Sequence, residues 1–89
     1  MARFEIASCE QAVIGESPAG ADTFFELGMM YSIGRRVPID YVSAHKWFNL
    51  AAMRGHGEAP RLRREVAEQM SEIEIAAAQR AARAWLKAH

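Results

Sequence analysis

Apolar positions recur along this chain at helical spacing, interrupted by short clusters of turn-forming residues. Phe24, Leu27, Gly28 and Tyr31 fall at i, i+3, i+4 and i+7, which predicts a helix with one buried face running from Pro18 or Asp22 to Ile33. A glycine inside such a stripe costs about 1 kcal/mol relative to alanine, so Gly28 points to a close approach by another backbone. Gly34 ends this helix as a residue able to take positive φ. Pro38 keeps the element from running on, and Asp40 then opens the next helix with a carboxylate suited to its free N–H groups. Ala44, Trp47, Phe48, Ala51 and Ala52 form the apolar face of that second helix, and Gly55 closes it. Two helices joined by a short Gly/Pro loop make an antiparallel helical hairpin.

A third helix is expected over about residues 57–70, with Leu62, Val66 and Met70 on one side and Pro60 in the first turn. Ser71-Glu72-Ile73-Glu74 reads as a capping box, with Met70 and Ile75 placed to act as its hydrophobic staple. The fourth helix then carries Ile75, Ala78, Ala82 and Trp85 in line and runs to about Lys87. At the N-terminus, Ile6, Cys9 and Val13 fit a helical stripe, although Arg3-Phe4-Glu5-Ile6 alone also fits a strand. Ala12, Gly15 and Ala19 echo the spacing of Ala52, Gly55 and Ala59, so residues 1–17 read as a helix or partial repeat. Residues 18–56 form the complete hairpin and residues 57–89 a closing helix pair, giving four to five helices in all.

Composition narrows the function classes. Hydrophobic residues are 51% and charged residues 25% of the 89, too apolar a chain for disorder and too short for two cores. The 11 basic and 11 acidic side chains give zero net charge, without the basic excess by which a nucleic-acid binder neutralises phosphate. Cys9 is the single cysteine, so no internal disulfide can form, and it reads as a packed apolar side chain. The first residues are no secretory signal and no stretch could span a bilayer, so a cytoplasmic protein without membrane insertion is expected.

The run Leu27-Gly28-Met29-Met30-Tyr31, Gly34, Val37, Asp40, Ala44, Trp47-Phe48, Ala51-Ala52, Gly55 and Ala59 resembles a Sel-one-like repeat, an α-solenoid relative of the tetratricopeptide repeat. Two positions depart from that pattern: Thr23 stands where alanine is usual, and Arg36 replaces the second glycine of the Gly-x-Gly-Val loop. The first departure should loosen packing at the start of the helix, and the second leaves the loop conformation open. Residues 59–85 are similar to the ending of many bacterial members, and the likeness covers about residues 19–87. The resemblance implies an all-α fold, a short α-solenoid of antiparallel hairpins. It also implies a non-catalytic adaptor or scaffold whose first helices line a partner-facing side.

Candidate chemistry is sparse. Trp47, Phe48, Leu27 and Tyr31 sit at core spacing rather than forming a stacking box. His45, His56 and His89 have no metal-binding companion at i+4; His45 is expected on a solvated face, and His56 to cap a helix or face water. Arg54, Arg61, Arg63 and Arg64 lie among Glu58, Glu65 and Glu68 and read as a solvated, salt-bridged face, with the docking of an acidic partner surface as the alternative. Neither a phosphate loop, a Gly-x-Ser-x-Gly elbow nor a His-Glu-x-x-His motif is present, so no enzyme and no cofactor is expected. Phe25, Met29 and Met30, with Glu26, fall off the buried stripe and are the candidate protein-binding residues, unless the N-terminal segment folds back over them. A single hairpin cannot bury its faces alone, so a protein or peptide partner, or a homodimer, is expected to cover the open side. Two alternatives stand beside the adaptor: a structural homo-oligomer whose spare face meets only itself, and a small hydrolase-like activity of the kind suggested for some members of the family. The latter would need Cys9 or a serine near His45 or His56.

Overall fold

The computed structural model describes residue 10 and residues 20–89. Within them the protein is all-α, with four helices and no strand: α1 (Ala21–Ile33), α2 (Tyr41–Met53), α3 (Ala59–Ala67) and α4 (Glu72–Ala88). Glu10 also has helical backbone, while the other residues of the expected N-terminal repeat, Cys9 among them, lie outside the described residues.

Turn chemistry sets the boundaries. Gly34 takes φ 76°, and its N–H and that of Arg35 both donate to the Met30 carbonyl at 3.0 Å, using a carbonyl the helix leaves without a partner. Asp40 N–H donates to the Tyr31 carbonyl at 3.0 Å, which folds the loop back onto α1. The Asp40 carboxylate accepts both the Ser43 N–H at 3.1 Å and the Ser43 hydroxyl at 2.9 Å, capping α2 as its position predicts. At the far end Gly55 takes φ 90°, with Gly55 N–H donating to Ala52 and His56 N–H to Ala51, a paired closure of the last turn. The third helix is shorter than expected, because Gln69 and Met70 bond back three residues to Val66 and Ala67 and tighten the chain out of the α-helix. Ser71 and Glu74 then form the reciprocal capping box, at 3.1 Å and 2.8 Å.

Helix α2 is the centre of the packing and touches α1, α3 and α4. Both α3 and α4 pack on α2 rather than chiefly on each other, so the closing pair is two helices laid on a shared neighbour. Phe24 of α1, Trp47 of α2 and Trp85 of α4 meet in one aromatic cluster. Phe24 stacks on Trp47 at 5.6 Å, and Trp85 stands edge-on to the two rings at 5.1 and 5.7 Å. Ala78 and Ala82 give α4 a small-residue face that is buried. Thr23 is buried as well, so its extra atoms are accommodated at the start of α1.

Two backbone positions carry opposite mutational consequences. A Cβ on Gly28 would stand 2.5 Å from ring carbons of the fully buried Phe48. It is therefore a side chain, not a second backbone, that requires glycine there. We predict that Gly28→Ala destabilises the protein by about 1–2 kcal/mol in chemical denaturation, because overpacking of about 1–3 kcal/mol outweighs the helix-propensity gain of about 1 kcal/mol. Arg36 is a non-glycine residue at φ 71°, in the loop position where the repeat pattern carries glycine. Arg36→Gly should stabilise by about 0.5–1 kcal/mol and Arg36→Val should destabilise, because a β-branched side chain tolerates positive φ worst; a shift of both variants in the same direction would refute the strain assignment.

Candidate functional site

The outer face of α1 is built from the residues its buried face leaves over. Phe24, Leu27, Gly28, Tyr31 and also Thr23 and Met30 turn inward. Asp22, Phe25, Glu26, Met29 and Ile33 follow one another at helical spacing on the opposite side. Phe25 and Met29 are half-buried and pack against the rim of the core, whereas Asp22 and Glu26 are exposed and Ile33 is 55% exposed. The expectation for Met30 is corrected: it is 1% exposed and belongs to the core. Its position three residues after Leu27 and seven after Thr23 places it on a buried arc wider than the four-residue stripe suggests.

Phe25 is held by two neighbours. Its ring lies 5.5 Å from that of Phe48 and stacks on His56 at 4.0 Å with an interplanar angle of 8°. His56 Nδ1 accepts the Glu58 N–H at 3.2 Å, so the neutral ring carries its proton on Nε2, which faces Asp22 Oδ1 at 3.6 Å. The α2–α3 turn thus buttresses the start of α1 and holds the Phe25 ring in place. At the C-terminal end of the same helix, the exposed tip continues through Arg35 and Arg36 to Ile39, which is 55% exposed and packs over Gly34. The i, i+4, i+8 register of Phe25, Met29 and Ile33 is present in the sequence, where the Gly34 turn beside Ile33 masks its place in the row.

A second cluster joins Glu10 to the hairpin. One carboxylate oxygen of Glu10 accepts both the Tyr31 hydroxyl at 2.5 Å and the Trp47 indole N–H at 3.3 Å. Lys46 lies over the Trp47 ring at 4.3 Å. Burial holds the Lys46 ammonium below its usual range, opposed by the negative charges of Glu10 and Asp40. Tyr31 and Trp47 are therefore core residues whose polar tips meet a carboxylate from a distant part of the chain. Periodicity could not have found this contact, which depends on tertiary placement.

The remaining candidates resolve into packing and solvated charge. The solvated position expected for His45 is corrected: it is 4% exposed, since α2 is covered on more sides than one hairpin partner could cover. Among the described residues its Nδ1 has no hydrogen-bond partner, and burial, with the nearby Arg63 charge, pushes its pKa down so that the ring is neutral. Arg63 donates to Asn49 at 2.7 Å across α2 and α3, and Arg54 lies over the Phe24 ring at 5.5 Å. Arg61 pairs with Glu58 and, at 2.8 Å, with Glu65 on the exposed face of α3, where such pairs contribute little to stability. His89 stacks on Trp85 at 4.2 Å. Among the described residues no three His, Cys, Asp or Glu side chains are grouped to hold a metal ion, and no helix is long and apolar enough to cross a membrane.

Compared with family models, curated proteins and solved structures, the chain finds no match in any of the three.

The Glu10 contact is measurable by a double-mutant cycle. Glu10→Ala should cost about 1–3 kcal/mol in urea unfolding, because it removes the acceptor shared by two buried donors. Tyr31→Phe in the Glu10→Ala background should cost less than in the wild type, with a coupling of about 1 kcal/mol; strict additivity would show that the bond contributes nothing.

Proposed function

We propose that this chain is a non-catalytic protein-interaction module of the Sel-one-like repeat kind, an adaptor or scaffold acting in the cytoplasm through the outer face of α1. The observation that carries the reading is the apolar stripe of Phe25, Met29 and Ile33, the first two partly buried and the last exposed, flanked by the exposed carboxylates of Asp22 and Glu26. The positions quoted for the resemblance are taken up by structure. Gly34 and Gly55 turn the chain, Asp40 caps α2, and Leu27, Tyr31, Trp47, Phe48 and Ala51 fill the core. Recognition then falls to the side chains between them. Phe25 and Met29 offer large, adaptable apolar contacts, and Phe25 is fixed against His56 before any partner arrives, which lowers the ordering cost of binding. The two carboxylates favour a protein surface on which apolar side chains are accompanied by basic ones.

The reading predicts a site-specific loss of binding. Affinity capture from the source cell with the immobilised chain should recover partners that Phe25→Ala/Met29→Ala loses at least tenfold, the scale of about 1.4 kcal/mol, at unchanged circular dichroism. An identical capture profile for a folded double variant would rule out the α1 face.

A further inference from the structure

We propose that the α1 face pairs with the same face of a second copy of this chain, in an antiparallel two-fold contact centred on Met29. The inference rests on the interaction-module reading and names the partner at that surface.

The argument is one of register. Phe25 precedes Met29 by four residues and Ile33 follows it by four, so two α1 helices placed antiparallel with Met29 on the axis bring Phe25 of each copy against Ile33 of the other. The charges run in the same direction. Asp22 lies in the first turn of α1, and Arg35 and Arg36 follow the Gly34 turn that ends it, so the acidic start of one helix meets the basic tip of the other. Glu26, beside Phe25, adds a second acidic charge to the N-terminal half of the face and Arg35 a second basic one to its tip, and all four of these side chains are exposed. A surface that is acidic at one end, apolar in the middle and basic at the other is complementary to itself under a two-fold rotation, the commonest symmetry of protein oligomers. Placed parallel, the same helices would set acid against acid and base against base. The antiparallel arrangement also opposes the two helix dipoles favourably. The chain is neutral overall, with 11 basic and 11 acidic residues, so no net repulsion stands against the contact.

The face is one 13-residue helix and its adjoining loop, so the contact falls below the roughly 1,200 Å² of standard interfaces. Self-association is therefore weak, with Kd on the order of tens to hundreds of micromolar.

Sedimentation equilibrium of the full chain from about 10 µM to about 1 mM tests this range directly. The wild type should show a reversible monomer–dimer equilibrium that weakens as salt screens the two charged ends. Asp22→Arg/Glu26→Arg makes both ends of the face basic, and Arg35→Glu/Arg36→Glu makes both acidic. Each variant alone should self-associate at least tenfold more weakly, at unchanged circular dichroism, while an equimolar mixture of the two should form a heterodimer at least as tight as the wild-type dimer. A strictly monomeric wild type, a dimer indifferent to both variants, or a mixture that stays monomeric would each overturn the proposal. A check that needs no charge reversal is Met29→Cys in a Cys9→Ser background. A short bis-maleimide should join two copies through position 29, and failure to do so at concentrations where the wild type is dimeric also overturns it. A monomeric wild type whose heterologous capture is still lost on Phe25→Ala/Met29→Ala would overturn the two-fold contact and leave the interaction-module reading standing.

Discussion

The fold depends on one helix being packed by three others at once. Helix α2 is covered by α1, α3 and α4, and the point where most of this converges is the ring cluster of Phe24, Trp47 and Trp85. Aromatic pairs at these distances contribute about 0.5–1.5 kcal/mol beyond their buried area, and here a single Trp47 joins α2 to two neighbours. A chain of 89 residues buries a modest share of its surface, so concentrating large rings at one junction is an economical way to make four short helices cooperative. Alanine complements this: Ala44, Ala51, Ala78 and Ala82 are buried, and their small volume lets α1 and α4 come close enough to α2 for the rings to meet.

The same central packing explains which polar groups are held inside. His45 would be a surface residue if α2 had one neighbour; with α3 laid beside it, the ring is enclosed and kept neutral by burial. Trp47 and Tyr31 are fully buried, and their polar atoms donate to Glu10, so the junction's most central side chains also fix a residue far away in sequence. The cost of burying those donors is offset by a charged acceptor, which forms stronger hydrogen bonds than a neutral one. Core packing and the placement of Glu10 are thus one arrangement.

Much of the hairpin could be read from residue order, because its determinants are local. Gly34, Asp40, Gly55 and the Ser71–Glu74 box act over three to five residues and do in space what their spacing implies. Gly28 was legible as a close approach but not as a contact with the Phe48 ring, since periodicity gives the facing direction of a position and not the identity of what arrives there. Met30 and His45 were misplaced for a related reason. A stripe of four apolar positions marks the middle of a buried face, and its width depends on how many neighbours the helix acquires, which is a property of the tertiary arrangement. Arg36 shows the reverse case. The repeat pattern has glycine at that position, and the backbone adopts the glycine-favoured conformation although arginine occupies it, so the flanking turn and cap impose the loop geometry on the side chain.

What the core does not consume is ordered by the same helical geometry that builds it. Because α1 turns its large rings and Leu27 toward α2, its outer side is left with residues at intervals of three and four, and this spacing aligns Phe25, Met29 and Ile33 in a row. The turn at Gly34 ends the helix immediately after Ile33, so Arg35 and Arg36 are delivered to the end of that row, while Asp22 lies in the first turn at the other. Capping preferences favour acid at a helix start and base at its end, and they give the face its charge gradient with no requirement for a partner. The apolar residues between the charges have no such local cause. Neither propensity nor capping calls for Phe25 or Met29 on the outer side, and Phe25 is further fixed by stacking on His56 from the next turn. A side chain that is large, apolar, partly buried and held in place by a dedicated contact is the arrangement expected where a surface is preorganised for recognition.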